Sequence, residues 1–242
     1  MKKKFFNKDE ILFKKVNSIL ANSPFQYWVC HGTLLGIIRD NMIFPWDHDL
    51  DFAVWKHEVS FEEIQKLFKN NGFEQEFFFE DMDCLHFISD SKKIDISFYE
   101  KKDKMASIKW VVPNSKTNFN FVEFVAKTIY YPPNISEVKS NFKNIKGIFK
   151  FFLSKLILFF KPFVSSNLKK KIFELAQKKN IYSGYSYPLT LMKFKLVEFL
   201  DEEVPVPIDS EKCLLLTYGK DWQTTKKNYT WYNEAKNLIE LK

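Results

Sequence analysis

The chain is poor in arginine, in paired cysteines and in uninterrupted apolar runs, and each shortage excludes something. Arg39 is the sole arginine among 37 basic residues. A nucleic-acid groove ordinarily mixes arginine with aromatic side chains, so nucleic acid is not expected as a partner. The three cysteines, Cys30, Cys84 and Cys213, are odd in number, widely spaced and free of any C-x-x-C pattern. They read as reduced thiols in a reducing compartment, not as a disulfide framework. The opening MKKKFFNKDE is charged, but no uninterrupted apolar stretch follows it, so no secretory signal is expected. Segment 148–164 is apolar yet carries Lys150, Lys155 and Lys161, which makes it too short and too charged for a membrane span. No internal repeat or low-complexity linker is visible.

What is present is a core-forming chain with one unusual segment. At 242 residues and 45% hydrophobic it has the length of one large domain, or one and a half, and can bury a substantial core. The net charge is +7, but eleven lysines and one acid between Lys139 and Lys179 give that segment +10 and leave −3 for everything else. Basicity therefore belongs to one segment. Phe151, Phe152, Leu156, Leu158, Phe159 and Phe160 interleave with its lysines. Two readings are open: a helical layer with a solvated lysine face, or an interfacial helix on an anionic membrane.

Hydrophobic spacing gives the elements. A helix is expected over Lys8–Ala21, capped by Asn7 with Glu10 three residues on, and with an apolar stripe of Ile11, Leu12, Val16, Ile19 and Leu20. Phe25–Cys30 reads as a strand, Leu34–Ile38 as a short helix opened by Gly32-Thr33, and Asp49–Trp55 as a second strand. A capping box at Ser60 and Glu63 starts a helix that Gly72 ends. Strands are expected at Phe73–Phe79, Leu85–Ser89, Ile94–Tyr99 and Ile108–Val112, with a turn at 90–93. The stretch 114–141 reads as irregular. Two helices follow, over 148–164 and 168–179, the second capped by Ser165 or Ser166. Asp209 caps a last helix that ends at Tyr218-Gly219.

The chemistry gathers between Tyr27 and Trp55. Asp47, Asp49 and Asp51 alternate, and in a strand Asp49 and Asp51 leave the same face, opposite Leu50 and Phe52. Two carboxylates that close repel unless a cation lies between them. Hard oxygen ligands of this kind suit Mg²⁺ or Mn²⁺. Asp95 is a further acid on an apolar strand, flanked by Ile94 and Ile96, and needs a partner. The Gly32-Thr33 turn offers backbone N–H groups to a phosphate. Arg39 offers a planar fork that can hold a phosphate by two bonds. Each feature has an ordinary counterpart, a common turn or a solvated strand face; their order along the chain favours a metal–phosphate site.

These residues resemble a known family. G-T-L-L-G, then an arginine, then P-W-D-x-D-L-D is similar to the LicD family, which includes fukutin and fukutin-related protein. Ile94-Asp95-Ile96 matches its later I-D-I/V position, and Val204-Pro-Val-Pro207 with Tyr218-Gly-Lys-Asp-Trp222 resembles its C-terminal signature. The likeness covers about 25–100 and 198–225 and does not reach the basic segment. It implies an α/β (α+β) fold with a nucleotidyltransferase-like mixed sheet flanked by helices, here with a basic helical insertion. It implies Asp49, Asp51 and Asp95 as metal ligands for Mg²⁺ or Mn²⁺, and Asp47 as the third acid of the motif. Asp95 or Asp47 would take the acceptor proton. Gly32, Thr33 and Arg39 would hold donor phosphates. Many members have Asp where this chain has His48, which strand alternation turns away as a packing residue.

The resulting expectation is a catalytic core over 1–113, an irregular and basic insertion over 114–197, and a part completing the core over 198–242. The expected reaction is transfer of a phosphorylated alcohol, phosphocholine-like or polyol phosphate, from a CDP-linked alcohol donor to a surface glycan or lipid-linked glycan, with release of CMP. The expected location is cytoplasmic, with the basic segment as a peripheral contact to the inner face of the plasma membrane. Two alternatives stand beside it: a nucleotidyltransferase that uses an NTP and releases pyrophosphate, and a non-catalytic membrane-surface adaptor.

Overall fold

The structure, a computed structural model, describes residues 6–76, 82–112, 121–130, 145–177, 181–226, 229 and 234–241. It divides into two compact units, Met1–Trp110 with Tyr182–Lys242, and Val111–Ile181. The boundary expected at 197 falls at 181. The reason is β8 (Ile181–Pro188), which contributes a strand to the sheet of the first unit and so draws 182–197 into it.

The first unit is a mixed sheet with helices on it. α1 (Lys8–Ala21) starts at a complete capping box, Asn7 with Glu10. β1 (Tyr27–Val29), α2 (His31–Leu35) and a π-turn (Gly36–Asp40) follow. β2 (Asp49–Trp55) lies antiparallel to β1. α3 (Phe61–Asn70) starts at the Ser60–Glu63 capping box. It leads through β3 (Glu74–Gln75) and β4 (Cys84–Ile88) to β5 (Lys93–Lys102). β5 pairs parallel with β2 and antiparallel with β4. The part of the expected strand Phe73–Phe79 that falls on 77–79 lies outside the described residues. The strand expected at 108–112 forms over its second part as β7 (Trp110–Val112), and a further short strand, β6 (Met105–Ser107), precedes it. β6 pairs with β5 and β8, and β8 with β11 (Leu238–Leu241). β9 (Phe194–Phe199) and β10 (Glu202–Pro207) make a separate hairpin before α7 (Ser210–Tyr218).

Period-two alternation divides the sheet into two chemically different faces. Tyr27, Val29, Leu50, Phe52, Val54, Leu85, Phe87, Ile94, Ile96 and Phe98 form one face, buried with side chains of α1, α3 and the hairpin. Trp28, Cys30, Ala53, Trp55 and Tyr99 belong to the other, with Tyr185 and Tyr187 of β8. On this second face the acids sit at the N-terminal ends of β2 and β5, and the aromatics at the far ends.

The expected stripe of α1 needs one correction. Ile11 is 56% exposed, while Phe13 is fully buried against Phe52 and Phe199. Spacing alone allowed both; contact with the sheet face selected Phe13. Asn17 is buried as well and ties the helix to the hairpin through Glu202 and the Glu203 carbonyl.

The second unit contains α4 (Phe121–Tyr130), α5 (Ile145–Phe160) and α6 (Ser166–Gln177). α4 packs on both others, with Ala126, Ile129, Ser154 and Ala176 buried. A helix thus occupies part of the stretch read as irregular. The rest of that stretch, 114–120 and 131–141, lies outside the described residues.

The alternation of α1 makes a direct prediction. Phe13→Ala should lower stability by about 3–5 kcal/mol, and Ile11→Ala by less than about 0.5 kcal/mol. Urea denaturation of both variants checks this, and equal losses would contradict the assignment of the buried face.

Candidate active site

The parallel pairing of β2 with β5 sets Asp51 directly across from Asp95, and the antiparallel pairing of β4 sets His86 across from Asp95 on the other side. One row across three strands therefore reads Asp51, Asp95, His86. Asp49 lies two residues along β2, on the same face. Carboxylate oxygens of Asp49, Asp51 and Asp95 all lie within 4.8 Å of one another. Asp47 precedes the strand, close enough for its charge to raise the pKa of Asp49.

α2 brings its first turn against these acids. The Thr33 N–H donates to Asp51 Oδ2 at 3.1 Å, and the Asp51 N–H donates to Thr33 Oγ1 at 2.7 Å. The Thr33 amide expected to meet a phosphate is thus engaged by Asp51; Thr33 positions that acid. Gly32 allows the approach. A Cβ there would lie 2.6 Å from Asp47 Oδ2 and 3.2 Å from Asp51 Oδ2. His31 opens the helix at φ 47°, a left-handed conformation unusual outside glycine. Its ring packs against Trp110 and Tyr185 and meets Tyr99 Oη at 3.2 Å. Burial pulls its pKa down to about 3, so the ring is neutral and structural.

A cavity of about 300 Å³ abuts the acids at Gly32 and Asp47. Arg39, Phe44, Trp46 and His48 line one part of it. Tyr218, Asp221, Trp222 and Lys226 line another, so the C-terminal motif reaches the site although its spacing alone pointed to no role there. The Arg39 guanidinium lies over Phe44, and its Nη1 donates to the Trp222 carbonyl at 3.2 Å. Its Nε and Nη2 both face Asp40 Oδ2, at 2.9 and 2.8 Å. A phosphate bound by that fork must displace Asp40. His48, expected to pack inward, is exposed at the cavity wall, because β2 begins only at Asp49 and strand alternation does not extend back to it.

Two further residues were not legible as site residues. His86 Nδ1 meets Asp95 Oδ1 at 2.7 Å. Burial pushes the His86 pKa down, but the charge and hydrogen bond of Asp95, with Glu76, outweigh it and leave it above its ordinary value. The C-x-H alternation of β4 was the available signal, but it needed the register with β5. Lys92 is buried at the turn before β5. Its Nζ donates to the carbonyls of Phe44 and Asp47 and lies 3.4 Å from Asp9. It holds the loop that carries Asp47, and a lone turn lysine gives no sequence signal for that.

The electrostatics are those of acids that either keep protons or share a cation. Burial first, then the charges of Asp95 and Asp47, push Asp49 up to about 8. Burial first, then the charges of Asp49, Asp47 and Asp95, hold Asp51 well above the carboxylate range, against the Thr33 hydrogen bond. Three hard oxygen donors fit Mg²⁺ or Mn²⁺. A second set, Cys84, His86 and Asp95, also lies within 4.8 Å and shares Asp95. Its softer donors would suit zinc. Burial raises the Cys84 thiol well above its ordinary pKa, so a metal bound there would have to displace its proton.

Residues 25–134 match the family described as LicD/FKTN/FKRP, nucleotidyltransferase domain. An uncharacterized protein of Rickettsia typhi is 31% identical over 99 residues, 40% of this chain and 30% of that protein. One of Rickettsia prowazekii is 33% identical over 63 residues, 26% of this chain and 24% of that protein. The chain thus matches less than a third of either relative. Among solved structures, the antibiotic-resistance factor ANT(2″)-Ia is similar at 13% identity and a TM-score of 0.33, over 71% of this chain and 92% of that one. Its complex with adenylyl-2″-tobramycin gives 13% and 0.35, over 72% and 99%. At those scores the likeness is too distant to bear on the site.

Raised carboxylate pKa values have a signed consequence. Asp49 binds its proton up to about pH 8 when folded and only to about 3.8 when unfolded. Its contribution is complete below the unfolded value and is lost as pH rises through the folded one. Without divalent ions the melting temperature should therefore fall as pH rises between about 4 and 8, and saturating Mg²⁺ should flatten the fall. Above about pH 8, where Asp49 is charged, Asp49→Asn removes one repelling charge, so it should melt above the parent in chelator and below it in Mg²⁺. The same ranking in both conditions would contradict a shared metal site.

Proposed function

We propose, from the match of residues 25–134 to the family described as LicD/FKTN/FKRP, nucleotidyltransferase domain, that the chain is a metal-dependent transferase. It moves a phosphorylated alcohol from a CDP-linked donor to a glycan hydroxyl and releases CMP. The observation that carries this reading is the convergence of Asp49, Asp51 and Asp95 on one face, within 4.8 Å, beside a cavity that holds the sole arginine.

Each part of the reaction has a residue suited to it. Asp49, Asp51 and Asp95 would hold the Mg²⁺ or Mn²⁺, with Thr33 fixing the rotamer of Asp51 and His86 that of Asp95. A bound divalent ion supplies charge neutralisation on the donor phosphates. Arg39 takes donor phosphate oxygens once Asp40 swings away. The acceptor hydroxyl oxygen attacks the phosphorus that bears the alcohol, and the bridging P–O bond to CMP breaks. The hydroxyl proton passes to Asp47. That acid faces the cavity, whereas Asp95 is tied to His86. Phe44 and Trp46 stack at 4.9 Å on the cavity wall and can exclude water from one side of the donor.

The small product decides between this reaction and nucleotidyl transfer from an NTP. Incubation with CDP-alcohols, a glycan acceptor and Mg²⁺ should yield CMP; NTPs should yield no pyrophosphate. Asp49→Asn should abolish turnover with the fold intact. Arg39→Lys should weaken donor binding on the order of tenfold, since the two-bond fork is lost, and Asp40→Asn should tighten it. Pyrophosphate release, or full turnover by Asp49→Asn at saturating metal, would overturn the proposal.

A further inference from the structure

The second unit presents a surface that the proposed transfer does not use. Phe149, Phe152, Leu156, Phe159 and Phe160 recur along α5 at helical spacing, and Phe163 continues the row in the turn Lys161–Phe163. All six are between 50 and 79% exposed. The helix already has an inner face: Ser154 is 2% exposed and donates to the Phe151 carbonyl, and α5 packs on α4. At about 100° per residue, Ser154 points roughly 180° from the middle of the phenylalanine row. The row is therefore the outer face of a helix whose packing side is occupied.

Charge flanks that row. Lys150 falls on one side of it and Lys155 on the other, both exposed. α6 adds Lys169, Lys170 and Lys171, and the whole segment Lys139–Lys179 carries eleven lysines against Glu174. No helix among the described residues is long and apolar enough to cross a membrane. An apolar row edged by lysines, on a helix unable to span, has the amphipathic form that lies in a lipid interface. Its aromatic rings enter between headgroups while the lysine stems reach back to the phosphates.

We propose that α5 and the turn after it dock the chain on an anionic phospholipid bilayer, through Phe149, Phe152, Leu156, Phe159, Phe160 and Phe163. The apolar contact and the charge act together, so salt weakens the attachment without abolishing it.

Co-sedimentation of the full chain with vesicles tests this. One set is phosphatidylcholine alone, the other phosphatidylcholine with phosphatidylglycerol, each at low and physiological salt. The chain should pellet with the anionic vesicles at both salts, less at the higher, and should remain largely in the supernatant with the neutral ones. Phe152→Ser with Phe159→Ser should weaken anionic binding on the order of tenfold or more while melting as the parent does. If that pair unfolds, Phe149→Ser with Phe163→Ser removes other members of the same row and is read instead. A parent that stays in the supernatant throughout overturns the proposal, as does parental binding by the serine variants. So does a lipid-free dimer that the serine substitutions dissociate, because the row would then cover a second copy. CMP release on a soluble acceptor is measured without lipid, so the two proposals fail independently.

Discussion

The parallel pairing of β2 with β5 is the constraint on which the rest of the first unit depends. It aligns Asp51 with Asp95 and, through the same register, Phe52 with Ile96 and Leu50 with Ile94. One register therefore builds an apolar face and an acidic row. A slip by one residue would put phenylalanine and isoleucine at the site and carboxylates in the core. The apolar face, closed by Phe13, Ile64, Phe68 and Val204, fixes the register against the repulsion of the acids. The repulsion in turn is what a divalent ion would relieve. Core and site are thus two consequences of one strand pairing.

Around that pairing, several contacts serve only to place side chains. Thr33 exchanges two hydrogen bonds with Asp51, and Gly32 leaves room for Asp47 and Asp51 at the start of α2. Lys92 holds the carbonyls of Phe44 and Asp47 from the turn that leads into β5. Trp222 receives Arg39 from the far end of the chain. Each contact links a segment distant in sequence to the same small volume, which is how a site forms beside a sheet whose own residues are mostly apolar.

The parts of this that were legible were the local ones. Asn7 with Glu10 and Ser60 with Glu63 announced two helices, and both capping boxes form. Asp49–Trp55 alternates so strictly that its faces could be assigned without knowing its neighbours. Pairing was harder. Cys84 and His86 alternate as plainly as Asp49 and Asp51, yet the meaning of His86 depends on lying opposite Asp95, a register that no short stretch encodes. Ile11 and Phe13 could each have faced the core by spacing, and only the sheet distinguished them. Lys92 looks like any turn lysine until the loop it holds folds over it. In the basic segment, composition showed phenylalanine beside lysine but not which side of the helix was free; Ser154 and the α4 contact supply that.

In the proposed reaction the acids of β2 and β5 would hold a divalent ion against the phosphates of a CDP-linked donor. Phosphorus NMR of a CDP-alcohol with trace Mn²⁺ tests it most directly, because a paramagnetic ion broadens nuclei it approaches. With the parent protein both donor phosphorus signals should broaden strongly beyond the effect of free Mn²⁺, and with Asp49→Asn or Asp51→Asn the excess broadening should disappear. Broadening that is the same with the parent and with both variants would contradict the account.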